Sequence, residues 1–170
     1  MRLTGAALAV LATVTALLGF GCAGTRIEDG VYRSAKGYSI TLPGPAWSPS
    51  VDDRTDLQLV RVADGAGMLA NATCDDLVAR RRLDVLTRHA LAGLRDREIL
   101  EHDEQPLAGR PTAHAVVEGR MAPAEERLRV ELFVVKGDRC VYDLMYAAPP
   151  ASFERWRADF HRFARSLAER

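Results

Sequence analysis

The apolar and polar positions divide this chain into an uncharged N-terminal run and a longer patterned part. No charged residue occurs from Leu3 to Thr25, and Ala6 to Leu18 consists of Ala, Leu, Val and Thr. Past Gly30, short alternating stretches and two longer periodic ones follow each other without repeats or low-complexity segments. Tyr38-Ser39-Ile40-Thr41-Leu42 alternates and is stopped by Pro43, which predicts a first strand. Pro43 to Asp56 reads as a turn-rich loop around a lone Trp47. Leu57 to Val62 and Met68 to Thr73 read as a hairpin about Asp64-Gly65.

Asp75 and Asp76 then open a helix, because carboxylates there cap free N–H groups and oppose the positive end of the dipole. Ala79, Leu83, Leu86, Ala90 and Leu94 form one apolar stripe, predicting a helix to about Arg95. Four extended stretches follow: Ile99 to Glu104, Thr112 to Glu118, Glu126 to Lys136 and Arg139 to Ala147. In the third, Leu128, Val130, Leu132 and Val134 alternate with Arg127, Arg129, Glu131 and Phe133. Gly137-Asp138 predicts a two-residue turn. Pro149-Pro150 ends the last strand, and Phe153, Trp156, Phe160, Phe163 and Leu167 give a final helix an aromatic stripe that reads as core.

Tight turns between neighbouring strands make the sheet antiparallel. The last hairpin is apolar on both faces, Val134 and Val141 on one, Phe133 and Tyr142 on the other. The expected fold is therefore α+β, an antiparallel β-sheet with helices packed on both faces, an α/β/α sandwich.

The first segment changes the picture of where this domain resides. Met1-Arg2, the apolar run and the small residues Gly19 and Gly21 before Cys22 have the layout of a signal peptide over residues 1–21. An uncleaved anchor is the competing reading, since the uncharged run approaches spanning length. The Ala and Thr content and the small residue ahead of a cysteine favour cleavage. Leu18-Gly19-Phe20-Gly21-Cys22 resembles the lipobox of bacterial lipoproteins, although Gly19 stands where that pattern usually has Leu. The resemblance implies that Cys22 is the lipidated N-terminus, that residues 22–30 are a lipid-bearing tether, and that residues 31–170 form one domain. Ala23 and Gly24 in place of an Asp after the cysteine imply the outer membrane, facing the periplasm.

The 170-residue chain has 23 basic and 23 acidic residues and no net charge. That argues against a nucleic-acid binder. Arginine outnumbers lysine by 21 to 2, which reflects genome composition and is no sign of anion binding. The three cysteines are too few for a disulfide-dense scaffold. If lipid occupies Cys22, Cys74 and Cys140 remain. Both stand at element ends in an exported chain, which predicts a disulfide between them. The competing arrangement is two separately buried thiols.

Chemistry is otherwise sparse. No G-x-S-x-G, P-loop or H-E-x-x-H motif occurs, so no catalytic residue is assigned. His89, His102, His114 and His161 share no ligand spacing, and neither a metal nor a cofactor is expected. Asp52, Asp53 and Asp56 could gather round a cation, but Asp-rich turns have backbone reasons of their own. Arg81, Arg88 and Arg95, seven apart, read as a basic stripe on one helix. With the two-residue turn at Gly137-Asp138, Asp143 falls opposite Leu132 on the face of Val130, Val134 and Met145. A carboxylate there needs an arginine or backbone N–H partner.

The early Tyr-Ser-Ile-Thr-Leu-Pro strand, the central helix, Cys140-Val141-Tyr142-Asp143-Leu144 and Ala147-Ala148-Pro149-Pro150-Ala151-Ser152-Phe153 leading into an aromatic helix resemble a set of small bacterial lipoproteins. Their fold is similar to the PsbP and DcrB superfamily, which also includes the Ran-binding Mog protein. The resemblance implies that fold over Gly30 to Arg170 and transfers no catalytic residues. The leading expectation is a non-enzymatic envelope lipoprotein that binds or scaffolds another envelope protein, held to the membrane by its N-terminal lipid. The alternatives are a small-ligand or cation-binding domain with a pocket between the sheet and the Pro43 to Asp56 loop, and an unfamiliar hydrolase.

Overall fold

The computed structural model describes residues 26–50, 54–121 and 126–170. The signal segment, Cys22, Asp52 and Asp53 lie outside the described residues. In chain order the elements are β1 (Arg26–Glu28), β2 (Val31–Arg33), β3 (Tyr38–Thr41), β4 (Ser48–Ser50), β5 (Leu57–Arg61), β6 (Ala66–Thr73), α1 (Asp76–Ala79), α2 (Leu83–Ala90), β7 (Leu94–Glu104), β8 (Thr112–Met121), β9 (Arg127–Lys136), β10 (Val141–Ala148), α3 (Phe153–Arg165) and β11 (Ala168–Glu169).

The strands make a seven-stranded antiparallel sheet in the order β4-β5-β6-β10-β9-β8-β7 and a four-stranded one in the order β1-β2-β3-β11. The four-stranded sheet was not foreseen. It takes Arg26–Glu28 from the segment read as a tether and a strand from beyond the last helix. The molecule is antiparallel β-sheet with a few short helices.

The period-two patterning sorts side chains into two cores. Leu86 and Leu91 pack with Ala113, Ala115, Val117, Val130, Leu132, Val134 and Val141. Phe160, Phe163, Tyr38, Ile40 and Tyr142 pack with Phe133, Val135, Leu144 and Tyr146. The two-sided apolar character read from Val134, Val141, Phe133 and Tyr142 is thus observed. The aromatic stripe of α3 is core as expected, with Phe153, Phe160 and Phe163 at 0% exposure.

Four local expectations need correction. The helix expected over 75–95 is broken. Asp75 does cap, accepting from the amides of Leu77 and Val78 at 2.8 and 3.1 Å. But α1 ends at Ala79, Arg82 is extended at ψ 150° and restarts the chain as α2, and Leu94 already belongs to β7. Intervals of three and four suit two helices as well as one, so periodicity could not mark the break. Arg81, Arg88 and Arg95 consequently share no helix. The last hairpin is also longer than expected. Lys136 pairs with Val141, leaving Gly137 to Cys140 as a four-residue loop closed by the Gly137 amide donating to the Cys140 carbonyl. Asp143 therefore lies opposite Val134, not Leu132. A two-residue slip preserves the face, so Asp143 remains beside Val141 and Met145.

Candidate functional site

Period two places Glu131 and Phe133 of β9 on the α3 side of the large sheet. Register places His114 of β8 directly opposite Phe133 and Val116 opposite Glu131, so His114 is a diagonal neighbour of Glu131. Arg157 and His161, one helical turn apart on α3, come down onto the same spot.

Glu131 is 0% exposed. Its Oε1 accepts from His114 Nε2 and His161 Nε2, both at 2.9 Å, and from Arg157 Nη2 at 3.1 Å. Its Oε2 accepts from Arg157 Nε at 3.1 Å. A buried charge is tolerated when neutralised and hydrogen-bonded in this way. The network extends to β7: Arg157 Nη2 donates to Glu101 at 2.9 Å, and His114 Nδ1 meets Asp103 at 3.2 Å. The His114 ring stacks on Phe133 at 4.7 Å and Phe133 on Phe160 at 5.5 Å, tying the polar cluster to the core.

Burial pushes the Glu131 carboxyl upward, but the hydrogen bonds from His114, Arg157 and His161 prevail and hold it at about 2. Burial likewise opposes charge on His114, yet hydrogen bonds to Glu131 and Asp103 raise its pKa above the ordinary value. The cluster forms one wall of a cleft of about 400 Å³, which Leu107, Gln105 and Arg165 help to line. Glu131 is ionised with its acceptor sites occupied, so it braces this wall. The exposed Arg165 is a further cationic group at the opening, beside His161.

Cys74 and Cys140 are joined in a disulfide with their Cα atoms 4.1 Å apart. Asp56 serves the fold: it accepts from the Tyr38 hydroxyl at 3.0 Å and the Ala72 amide at 2.9 Å, and pairs with Lys36 Nζ at 2.7 Å. Among the described residues no group of His, Cys, Asp and Glu is placed to hold a metal ion. The polar cleft is not under the Pro43 to Asp56 loop, where Trp47, 3% exposed, packs edge-on against Tyr146 and Trp156. Asp143 has neither of its expected partners: among the described residues no hydrogen bond reaches its carboxylate, and the group acting on its charge is His89. Burial raises Asp143 to about 6 against the lowering influence of His89.

Sequence reasoning missed Glu131, His114, Arg157 and His161 as a unit. The signal available was Glu131 itself, a charge on the strand face that continues with Phe133 and Val135. The histidines carry none, because 47 residues separate them and only register and helix placement unite them.

No protein-family model matches the chain, and no curated protein matches its sequence. Solved structures do. The cyanobacterial PsbP (CyanoP) of Synechocystis sp. PCC 6803 aligns over 94% of this chain and 99% of its own, with 13% identity and a TM-score of 0.55. LpqN of Mycobacterium tuberculosis, a protein involved in cell envelope biogenesis, aligns over 78% of this chain and 84% of its own, with 14% identity and a TM-score of 0.56. The Ran-binding protein Mog1p of Saccharomyces cerevisiae aligns over 78% and 90%, at 10% identity and a TM-score of 0.49. At such identities the likeness to the first two establishes a PsbP-like fold and nothing about activity.

Proposed function

We propose that this chain is an envelope lipoprotein, anchored through lipid on Cys22 in the outer membrane and facing the periplasm. Its domain is a PsbP-like α/β/α sandwich, with a helix on each face of the main sheet, and acts as a non-enzymatic binding or scaffolding module. The observation that carries the non-enzymatic reading is Glu131. A carboxylate saturated by an arginine and two histidines, and held at about 2, neither gives nor takes a proton near neutral pH. It orients Arg157, His114 and His161 as a rigid wall, the arrangement that recognition requires. The Cys74–Cys140 bridge fits an oxidising compartment.

Two measurements test this. Mass spectrometry of the mature N-terminus should find acylated Cys22, and Cys22→Ser should leave an unprocessed precursor; an unmodified N-terminus elsewhere overturns the anchor. Cross-linking in the native envelope should trap a partner that Arg165→Glu loses; equal trapping by that variant removes the cleft from the interface. The cleft also favours a second reading, a small-ligand-binding domain, because convergent polar groups line a space of ligand size.

A further inference from the structure

On the opposite side of β8 from His114 lies a second concavity of about 440 Å³. Thr87 of α2 and Leu91, which caps its C-terminus, form one wall, Ile99 and His102 of β7 the other, and Ala115 and Val117 of β8 the base. Volumes of this order suit small ligands, not side chains of a packed core. Ile99 is 67% exposed at its margin, and the adjacent Leu100 is 41% exposed.

Arginines outnumber carboxylates in its lining, where Arg88 and Arg97 stand with Asp84. Arg88 shares Asp84 with Arg82 at 3.5 Å in an exposed arrangement. Arg97 makes a 3.3 Å hydrogen bond to the Leu91 carbonyl, and among the described residues no carboxylate pairs with it. A guanidinium in that position is suited to a carboxylate or phosphate.

An added β-strand is a poor occupant, although β7 is an edge strand of eleven residues. Its pairing with β8 shifts register between Arg95 and Glu98 and again between Ile99 and Glu101. It also carries Arg95, Asp96, Arg97, Glu98, Glu101, Asp103 and Glu104. Bulges and charges of this kind guard an edge against strand addition. From Arg97 to His102 the wall runs about 16 Å at the usual strand rise, enough to lay a medium-length acyl chain along it.

We propose that the groove between α2 and β7 binds a free single-chain anionic amphiphile, its acyl chain along Leu91, Ile99 and Val117 and its head at Arg97 and Arg88. This site is independent of the Glu131 cleft and of lipidation at Cys22. Calorimetric titration of the purified protein with dodecanoate below its micellar range should give saturable binding at one equivalent. Dodecyltrimethylammonium, with the same tail and the opposite charge, and acetate, with the head alone, should each bind at least tenfold more weakly. Ile99→Asp and Arg97→Glu change exposed residues, so both should melt like the wild type yet lose dodecanoate affinity at least tenfold. Absence of saturable dodecanoate binding overturns the proposal. So does equal binding of the cationic amphiphile, undiminished binding by both variants, or binding to phosphatidylglycerol vesicles without binding to monomeric dodecanoate.

Discussion

His114 and His161 donate to one and the same atom, Oε1 of Glu131, each over 2.9 Å. Since an ionised carboxylate only accepts, both Nε2 atoms carry hydrogen. His114 has its other nitrogen 3.2 Å from Asp103. Carboxylates on either side favour the doubly protonated ring, which raises the His114 pKa against the opposing effect of burial.

The charge on His114 makes stability depend on pH in a defined sense. Its pKa is raised in the folded protein above the ordinary 6.5. Its contribution is complete below the unfolded value and is lost as pH climbs through the higher folded one. Scanning calorimetry should therefore find a melting temperature that falls as pH rises above about 6.5. His114→Gln should flatten that limb. A limb unchanged in the variant would assign it to another group.

Glu131 bears the opposite dependence. Its carboxyl, lowered to about 2 from an ordinary 4.5, stabilises above the unfolded value and loses that effect as pH falls towards 2. Glu131→Ala leaves Arg157, His114 and His161 around an empty position, and breaking such a buried network costs about 3–5 kcal/mol. Urea unfolding at pH 7 measures it. A loss below about 1 kcal/mol would mean that water compensates the three donors and that the wall is not rigid.

Much of this fold was legible because alternation survives small errors. The strands of the last hairpin were assigned their faces correctly from Val134, Val141, Phe133 and Tyr142, even though the turn was placed two residues short. The loop packs against a residue far away in sequence: a Cβ on Gly137 would collide with the Glu169 carboxylate, which accepts from the Tyr142 hydroxyl at 2.7 Å. No local rule reveals that β11 returns to this loop. The four-stranded sheet escaped notice for the same reason, since its strands are two to four residues long. The cleft was illegible because its donors come from a strand and a helix brought together only by tertiary packing.

Asp143 illustrates a cost that composition alone could not rank. Burial raises its pKa from 3.8 to about 6, with His89 acting weakly in the other direction. A raised carboxylate contributes stability at low pH and loses it as pH rises through about 6. Asp143→Asn should therefore stabilise the protein at pH 8 by roughly 2–3 kcal/mol and change nothing at pH 3. Urea midpoints at the two pH values decide it. A variant less stable than the wild type at pH 8 would mean that the carboxylate has a partner.

The Cys74–Cys140 bond extends a strand pairing by one step. Thr73 is the last residue of β6 and Val141 the first of β10, and the two are register partners. The bridge thus lies at the end of an existing ladder and needs no rearrangement of either strand. What it changes is the unfolded chain. It closes a segment with a sequence separation of 66, which contains α1, α2, β7, β8 and β9. In the chain-entropy account a loop of that length is worth about 4 kcal/mol. Reduction, or Cys74→Ala with Cys140→Ala, should lower the urea unfolding free energy by about that amount. The PsbP-like fold should persist, because both cores remain intact, and far-ultraviolet circular dichroism should be unchanged below the transition. Thiol counting on unfolded, unreduced protein should detect neither Cys74 nor Cys140. Detection of both would refute the bridge, and a double variant as stable as the wild type would show that residual structure in the unfolded chain already holds β6 near β10.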